Sequence, residues 1–458
     1  MRIIDSGEFD SYWKNESGKK ADDTQTETTV KEIIAAVRAG GDAAVRKFAS
    51  QFDRSSPQQL EVPMSEAKRA CDELRANERE LAGALELAAR HILSFSEKQK
   101  EQFTDFEYEM EEGLFTGQRV IPMEKAAIYV PAGRFPLFSS VLMGIIPALC
   151  AGVKEVILAS PPLEDGLPDR KIMAAAMIAM EEVNRQNNIG RLRIFAMGGA
   201  QAIAALALGT ESVPRVDIIA GPGNKYVAAA KRLLFGEVGI DFIAGPTDVL
   251  VITDGADGNA VTAGAVAGAA DLVAADMIAQ AEHDPDARAR ALVPGRTLAE
   301  QIISALDKRL ADLPTAGTAR SSLDSGGLII VYQNKAEAIR IVKIIAPEHL
   351  ELQTADADEW IPKLKNFGSL FIGSLSAEVL GDYSAGINHT LPTSASARFS
   401  GGLSVRHFLK SSTTLRCKPG PGFEQARQAA ECIARAEGLA GHAQSAAARS
   451  ITRAADRG

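Results

Sequence analysis

The hydrophobic positions in the first part of the chain recur at three- and four-residue spacing, which is typical of amphipathic helices. This period runs through residues 28–52 and 63–99, so we predict that residues 1 to about 120 are largely helical. The pair Gly40-Gly41 lies inside the first of these segments and is a candidate helix stop, because glycine favours helix ends over helix interiors.

After residue 120 the pattern changes to short runs of β-branched and apolar residues that alternate with helical stretches. The runs that predict buried strands are AAIYVPAG (126–133), EVILASPP (155–162), RLRIFAM (191–197), VDIIAGPG (216–223), DVLVITD (248–254), GGLIIVYQ (326–333) and GSLFIG (368–373). The stretches with helical period are 139–152, 171–185, 200–209, 226–236, 335–346 and 356–367. This alternation predicts an α/β fold with a parallel, doubly wound sheet.

The end of the chain has a different pattern. Residues 423–449 have the apolar spacing of one long amphipathic helix, and residues 411–422 (SSTTLRCKPGPG) have the composition of a linker.

Composition narrows the class of protein. The 458 residues are 46% hydrophobic and 24% charged, as in ordinary soluble globular proteins, and a net charge of -9 argues against a nucleic-acid partner. The N-terminus has no apolar signal segment, and the best apolar stretch, residues 141–153, is too short to span a membrane. Four cysteines without a CxxC pair favour a reducing compartment. We therefore expect a cytoplasmic protein with a small-molecule substrate, whose metal ligands, if any, are His, carboxylate and amide groups.

Small residues follow several of the predicted strands. Ligands of open α/β sheets collect beyond the carboxyl ends of the strands, so the loops of interest are 130–133, 198–201, 221–224 and 245–248. None of them contains GxGxxG, yet glycine-rich turns that open helices offer phosphate-sized anion sites. These loops therefore allow a dinucleotide site but do not identify one.

Two segments combine histidine with a polar neighbour. Gln280 and His283 are three residues apart, so on a helix they share a face and could hold one metal ion, although a solvated helix end is the simpler interpretation. Glu348 and His349 follow an apolar run, where a carboxylate beside an imidazole makes a natural general-base pair. A helix N-terminus at Pro347 and Glu348 fits that segment equally well.

Two further segments carry candidate ligands. The sequence GDYSAGINHTLPT (381–393) has the composition of a loop and contains Asp382 and His389. Glu437 and His442 are five residues apart, which is a poor match for one helical face, and an exposed helix end explains His442 as well. His91 and His407 have structural contexts. The chain contains no GxSxG, P-loop or HExxH motif, so mixed nitrogen and oxygen ligands for Zn²⁺, Mn²⁺ or Co²⁺ remain the main chemical signal.

Taken together, several motifs resemble the histidinol dehydrogenase family from about residue 25 to the C-terminus. They are AAIYVPAG, GGAQAIAALALGTESVPRVDIIAGPGN, AGPTDVLV, AQAEHDP, APEHLEL, GDYSAGINHTLPT, RFSGGLSV and AEGLAGH, in the family's order. The resemblance implies an enzyme with Zn²⁺ and NAD as cofactors. The reaction that the resemblance implies is oxidation of L-histidinol to L-histidine through the aldehyde with two molecules of NAD.

The resemblance also assigns residues. The implied zinc ligands are Gln280, His283, Asp382 and His442, and the implied acid/base residues are Glu348 and His349. The implied NAD contacts are Tyr129, Gln201 and Asn224. The implied substrate contacts are Thr247, Gln280, His283, His349, Asp382, His389, Glu437 and His442. The family forms homodimers whose C-terminal segment reaches the partner subunit, so the resemblance implies an active site shared between subunits.

The implied architecture is two Rossmann-like, aldehyde-dehydrogenase-like doubly wound domains with a helical N-terminal region and a C-terminal helical arm. Residues 1–128 would form the helical region and part of the first domain, and 129–244 the NAD-binding second domain. Residues 245–395 would complete the first domain with the metal and catalytic residues. Residues 396–458 would form the dimer-swapped arm.

Three departures from the family pattern concern the substrate and the cofactor. The usual Pro-Ser-Glu is Pro246-Thr247-Asp248, the usual PGG is Pro131-Ala132-Gly133, and extra small apolar residues occupy 260–270. An alternative is therefore a family member that oxidises another small polar alcohol, such as dihydroxypropanesulfonate, although Glu437 and His389 favour histidinol. A non-catalytic metal-binding protein would not need the Glu348-His349 pair.

Overall fold

A computed structural model of the chain describes residues 1–17, 24–132, 136–185, 190–255 and 268–451. The strands are β1 (Arg2–Asp5), β2 (Glu61–Val62), β3 (Phe106–Glu111), β4 (Leu114–Pro122), β5 (Lys125–Tyr129), β6 (Glu155–Ser160), β7 (Arg191–Ala196), β8 (Ile218–Ala220), β9 (Gly239–Ile240), β10 (Asp248–Thr253), β11 (Arg288–Val293), β12 (Leu328–Val331), β13 (His349–Gln353), β14 (Ser369–Ile372) and β15 (Leu409–Cys417).

The helices are α1 (Phe9–Ser17), α2 (Thr24–Phe52), α3 (Met64–Asn77), α4 (Arg79–Lys100), α5 (Phe138–Ala151), α6 (Arg170–Asn184), α7 (Gly199–Leu208), α8 (Lys225–Leu234), α9 (Ala269–Ala281), α10 (Arg296–Leu310), α11 (Ala316–Gly326), α12 (Lys335–Ile345), α13 (Ala357–Trp360), α14 (Glu378–Tyr383), α15 (Pro421–Ala436) and α16 (Ala440–Ala447). Short 3-10 turns cover Ser6–Glu8, Ile361–Lys363, Ser396–Arg398 and Val405–Phe408. No helix in these described ranges is long and apolar enough to cross a membrane.

The chain divides into two compact units. The first unit comprises Met1–Glu97 and Met123–Phe408, and the second comprises Lys98–Pro122 and the residues from Leu409 onward.

The first unit contains two six-stranded sheets. The first sheet has the order β1-β12-β11-β10-β13-β14 and is parallel throughout. Successive residues of β10 face opposite cores, with Val249 and Val251 in one hydrophobic cluster and Leu250 and Ile252 in the other. Helices therefore cover both faces, as the alternating pattern predicts for a doubly wound sheet.

The second sheet has the order β2-β7-β6-β5-β8-β9. All its pairs are parallel except that of β2 with β7 at one edge. One of its cores joins Ala127 and Tyr129 of β5 to Ile203 of α7 and to Val30 and Val37 of α2. The prediction of two parallel, doubly wound α/β halves is confirmed.

The second unit is an antiparallel sheet of order β15-β4-β3 together with α15 and α16. Here two predictions were wrong. Residues 411–422 are not a linker, because Ser411 to Cys417 pair with β4. Residues 106–122 form a hairpin instead of continuing the helical region, with Gly113 at φ +86 in its turn.

Other differences concern helix ends. The predicted stop at Gly40-Gly41 is confirmed as a kink, since Gly41 has φ +49 within α2. The predicted single helix over 423–449 is broken between α15 and α16, where Gly438 has φ +78. Residues 356–367 form one helical turn and a 3-10 turn. Gly133 and residues 260–267 of the extra stretch lie outside the described residues.

Candidate functional site

Several predicted site residues lie at the start of strands in the first sheet. Thr247 immediately precedes β10, Glu348 immediately precedes β13, and His349 is its first residue, opposite Val249. The alternative interpretation of Glu348 as a helix N-terminus is therefore wrong. These side chains also lie at the amino ends of their strands, whereas the general rule directed attention to carboxyl ends.

The residues converge on a cleft of about 160 Å³ within the first unit. Of the predicted metal, catalytic and substrate residues, its lining includes Thr247, Gln280, His283, Glu348, His349, Asp382 and His389. The crossover between the two sheets, residues 241–247, contributes Phe242, Ala244 and Gly245 to the same cleft.

Glu348 is buried and is held by three contacts. Its Oε2 accepts hydrogen bonds from the Thr247 hydroxyl at 2.5 Å and from the Asp248 amide at 3.0 Å. Its own amide donates to Asp248 Oδ1 at 3.1 Å. Burial raises the pKa of Glu348 to about 7, although His349 and the Thr247 hydroxyl partly oppose this shift. A carboxyl group with that pKa is suited to general-base chemistry at neutral pH.

His349 lies among carboxylates. Its Nε2 is 3.3 Å from Asp382 Oδ1, and its Nδ1 is 3.9 Å from Glu348 Oε2 and 4.0 Å from Glu378 Oε2. Burial alone would lower the pKa of His349, but the electrostatic attraction of Glu348, Asp382 and Glu378 outweighs it and raises the pKa well above its usual value. The neighbouring carboxylates thus stabilise the protonated, imidazolium form of His349.

Asp382 and His389 are joined through the backbone. Asp382 lies in the last turn of α14, so its predicted loop position was wrong, whereas His389 lies in the following loop. His389 Nδ1 donates to the Asp382 carbonyl oxygen at 2.8 Å, and its Nε2 is 2.8 Å from Ser140 Oγ. Burial lowers the pKa of His389. Burial would raise the pKa of the Asp382 carboxyl, but His349 and the other nearby imidazoles outweigh it and lower the pKa.

Gln280 and His283 do not share a helical face, because α9 ends at Ala281 and His283 follows its C-cap. Both still line the cleft. Gln280 Nε2 donates to Thr247 Oγ1 at 2.9 Å, which leaves Gln280 Oε1 buried without a hydrogen-bond partner. Among the described residues, no group of three His, Cys, Asp or Glu side chains is arranged to hold a metal ion.

Glu437 and His442 belong to the second unit. Glu437 is the C-cap of α15 and His442 lies in α16, and both side chains are exposed.

The sequence reasoning missed three buried carboxylates, one of which, Glu378, lies beside His349. They are Asp276, Glu351 and Glu378, with pKa values raised chiefly by burial. Gln353 Nε2 links Asp276 at 2.9 Å to Glu351 at 2.8 Å. The available signal was the pattern HLELQ, in which Glu351 stands between two apolar strand residues.

Asp248 belongs, with Thr247, to a loop that was expected to touch the substrate. The structure instead gives Asp248 an internal role: Oδ1 accepts from the Glu348 amide, and Oδ2 pairs with buried Arg290 at 3.0 Å. Asp248 is absent from the described lining of the cleft, whereas Thr247 is present.

A second, wider pocket of about 520 Å³ lies at the carboxyl ends of strands in the second sheet, and it brings together Tyr129, Gln201 and Asn224. Gly199, with φ +64, opens α7 at this pocket and donates its amide to the Tyr129 hydroxyl at 3.1 Å. Asn224 caps α8 by accepting from Tyr226 and Val227 amides.

Asp53 also lines the wide pocket and was not predicted. Gln201 Nε2 donates to Asp53 Oδ2 at 3.2 Å. Burial raises the pKa of Asp53 to about 6 against the opposing effect of the Gln201 and Gly198 donors.

Comparisons with known proteins agree with one another. The sequence model of the histidinol dehydrogenase family matches residues 16–450. The chain is 41% identical over 433 residues to histidinol dehydrogenase of Pseudomonas aeruginosa, covering 94% of this chain and 92% of that protein. It is 43% identical over 424 residues to the enzyme of Thermus thermophilus, covering 92% and 94%.

A solved structure is also similar. The crystal structure of histidinol dehydrogenase from Elizabethkingia anophelis superposes with a TM-score of 0.83 at 33% identity, over 94% of this chain and 93% of that one.

Proposed function

The chain belongs to the histidinol dehydrogenase family and is a dehydrogenase, and from that premise we propose that it oxidises L-histidinol to L-histidine through L-histidinaldehyde with two molecules of NAD. The observation that carries the proposal is the position of His349 and Glu348 side by side on one cleft, with distinct partners for each.

We assign the proton transfers to these two residues. In the first half-reaction neutral His349 takes the hydroxyl proton of the alcohol, and the surrounding carboxylates stabilise the imidazolium that forms. Glu348 takes a proton from the water that adds to the aldehyde in the second, since its pKa of about 7 leaves it part ionised at neutral pH. NAD, when bound, supplies the oxidising power for both steps.

Zinc ligation is proposed for Gln280, His283 and Asp382, with His442 of the partner subunit as the fourth ligand. Gln280 Oε1 supports this assignment, because it is buried without a hydrogen-bond partner beside an imidazole and a carboxylate. Amide and carboxylate oxygen with imidazole nitrogen is a donor set that suits Zn²⁺. When bound, zinc would orient the substrate as a template.

The wide pocket is proposed as the NAD site, with contacts from Tyr129, Gln201 and Asn224. Its volume is within the range of small-molecule and cofactor pockets. The N-cap residue of α7, Gly198, makes no side-chain cap, and of the first-turn amides the Gly199 amide bonds to the Tyr129 hydroxyl. This helix start therefore suits a phosphate group. Residues 129–244 would then form the NAD-binding domain and 245–395 the part with the catalytic residues.

The substrate contacts are proposed for Thr247, Gln280, His283, His349, Asp382 and His389. Glu437 and His442 would come from the partner subunit, through a dimer-swapped arm over 396–458. The six substrate contacts proposed from this chain line one cleft, whereas Glu437 and His442 are exposed on this chain. Because both side chains are exposed on this chain, they are accessible to a partner subunit.

The test compares two substrates. Purified enzyme with Zn²⁺ and NAD is supplied with L-histidinol or with dihydroxypropanesulfonate, and NADH is followed by absorbance. We expect two NADH per L-histidinol consumed and no turnover of the sulfonate. Turnover of the sulfonate alone would replace histidinol as the substrate, and turnover of neither would overturn the proposal.

A further inference from the structure

A buried ion pair, Lys231 with Asp241, connects the loop 221–224 beside the wide pocket to the crossover 241–247 beside the cleft. We infer that Lys231 and Asp241 are positioning residues that couple dinucleotide binding to the placement of the substrate loop. This inference rests on the proposed function, in that it takes the wide pocket as the cofactor site and the cleft as the substrate site.

The pair has no access to solvent. Lys231 lies in α8 and Asp241 directly follows β9, and their side chains are 2% and 0% exposed. The Lys231 ammonium group donates to Asp241 Oδ1 and, at 3.1 Å, to the Gly221 carbonyl oxygen. It also lies 5.9 Å from the centre of the Phe242 ring.

The carboxylate of Asp241 is as fully bonded as the ammonium group. Its Oδ2 accepts from the Gly221 amide at 2.8 Å, and its Oδ1 accepts from the Phe242 amide at 2.7 Å as well as from Lys231. Both the amide and the carbonyl of Gly221 are therefore bonded to this one pair. Because buried charges are stable only when paired and hydrogen-bonded, the loops on either side are held in one arrangement.

One end of this arrangement is the loop 221–224. Gly221 has φ +116, and a side chain there would collide with the Tyr129 carbonyl, so its backbone is closely fitted against β5. Pro222 lines the cleft and Asn224 lines the wide pocket. The loop thus borders both cavities, and a cofactor that contacts Asn224 acts on the segment that the ion pair holds.

The other end is the crossover 241–247, which carries the chain from the second sheet to the first. Phe242 and Gly245 line the cleft, and Thr247 at its end donates to Glu348. The Gly245 amide donates to Thr393 Oγ1 at 2.5 Å, which fixes the middle of the crossover to another residue that lines the cleft. A displacement of Gly221 is therefore transmitted through Asp241 to the residues that hold the proposed base.

The experiment replaces Lys231 by Met, which keeps the length of the side chain and removes the charge. The readouts are the NAD dissociation constant with and without saturating L-histidine, the KM for L-histidinol, kcat, and the melting temperature. We expect the effect of L-histidine on NAD affinity to fall by about fivefold and the KM for L-histidinol to rise. The reason is that the coupling free energy between the two sites depends on the ion pair that connects their loops.

The matched control is Arg232→Met on the same helix, which breaks the exposed ion pair of Arg232 with Glu27. It should leave all these constants unchanged. If Lys231→Met does not fold, Asp241→Asn and the neutral double variant Lys231→Met/Asp241→Asn replace it. A lowered melting temperature with unchanged coupling and unchanged KM would overturn the inference and leave a merely structural pair.

The inference and the proposed function fail in different ways. If the wild-type enzyme produces no NADH from L-histidinol, the proposed function is wrong. The amide hydrogen exchange of residues 242–247 on adding NAD then decides the inference. Protection that is the same in wild type and Lys231→Met would overturn it, and protection that only the wild type shows would support it.

Discussion

The two groups that donate to Glu348 Oε2, the Thr247 hydroxyl and the Asp248 amide, stabilise its ionised form and oppose the effect of burial on its pKa. Because the ionised form is needed for base catalysis and burial raises the pKa to about 7, activity should rise with pH through that value. Replacing Thr247 by Val removes the hydroxyl donor at 2.5 Å, which destabilises the carboxylate and raises its pKa further. We expect the rise in kcat/KM for the aldehyde to move to higher pH by about one unit.

The control for that shift is Thr247→Ser, which keeps the hydroxyl group and should keep the wild-type pH profile. The measurement is kcat/KM for L-histidinaldehyde between acid and alkaline pH. An identical profile in the Val variant would show that Glu348 is not the group that titrates.

A substitution at His349 distinguishes a role in catalysis from a role in metal binding. Replacing it by Asn removes the proton acceptor but leaves Gln280, His283 and Asp382 in place. NADH production from L-histidinol should fall by about a thousandfold, which is within the usual contribution of a general base, while the zinc content stays at the wild-type level. His91→Asn, at an exposed position outside the cleft, is the control. Full activity in the His349 variant would remove His349 from the mechanism.

The sequence predicted the residues that line the cleft better than it predicted the buried side chains that contact them. Gln280, His283, Glu348, His349, Asp382 and His389 were named from polar residues in unusual local sequence and from the family resemblance, and they line one cleft. Glu378 was not named, because an acidic residue at the start of a helix is ordinary and only tertiary packing buries it.

The turn between α15 and α16 depends on one glycine. Gly438 has φ +78, and the Leu439 amide donates to the Ala434 carbonyl oxygen, as in a Schellman C-cap. Gly438→Ala should destabilise the second unit by about 1 kcal/mol, because a left-handed backbone is strained for a residue with a Cβ. It should also lower activity, since α16 carries His442.

Gly441→Ala is the matched substitution for that experiment. Gly441 lies in α16 with open space around its Cα and no left-handed φ, so alanine should raise stability by about 0.5 kcal/mol. Thermal unfolding of both variants and the wild type measures the difference. Equal melting temperatures for the two variants would contradict the role of the turn.

Elements with a strong period were predictable, and elements stabilised by pairing were not. The apolar runs of β5, β6 and β10 are confirmed because each is buried on both faces. β15 was mistaken for a linker, because six of its nine residues are polar or charged and only its register with β4 makes it a strand.

The whole molecule is proposed to work as a dimer in which each cleft uses the partner's His442. Variants His349→Asn and His442→Asn should each be inactive alone. In a mixed dimer, one cleft combines the intact His349 of one chain with the intact His442 of the other. Random mixing of equal amounts should restore about a quarter of the wild-type activity.

The measurement is NADH production after the two variants are unfolded together and refolded. A mixture of His349→Asn with wild type, handled in the same way, controls for losses in refolding. If each cleft took His442 from its own chain, the mixture of the two variants would stay inactive.

The division of the chain into domains by consecutive residues stays a prediction. The sheet topology explains why consecutive residues do not always belong to the same sheet. β1 at the N-terminus completes the sheet of β10–β14, and β2 joins the sheet of β5–β9. Long-range pairing of this kind leaves no periodic signal in the segment itself, so a division by consecutive residues cannot capture it.

The second unit also sets an order of events during synthesis. β4 pairs with β3 on one edge and with β15 on the other, and β15 is translated only after the whole of the first unit. Until then, the nascent hairpin presents an open strand edge together with half-exposed Phe106, Tyr108 and Met110. This unit is consequently the last to assemble. A polypeptide whose translation stops before Leu409 is released with an aggregation-prone hairpin, because β15 is missing and β4 keeps an unpaired edge.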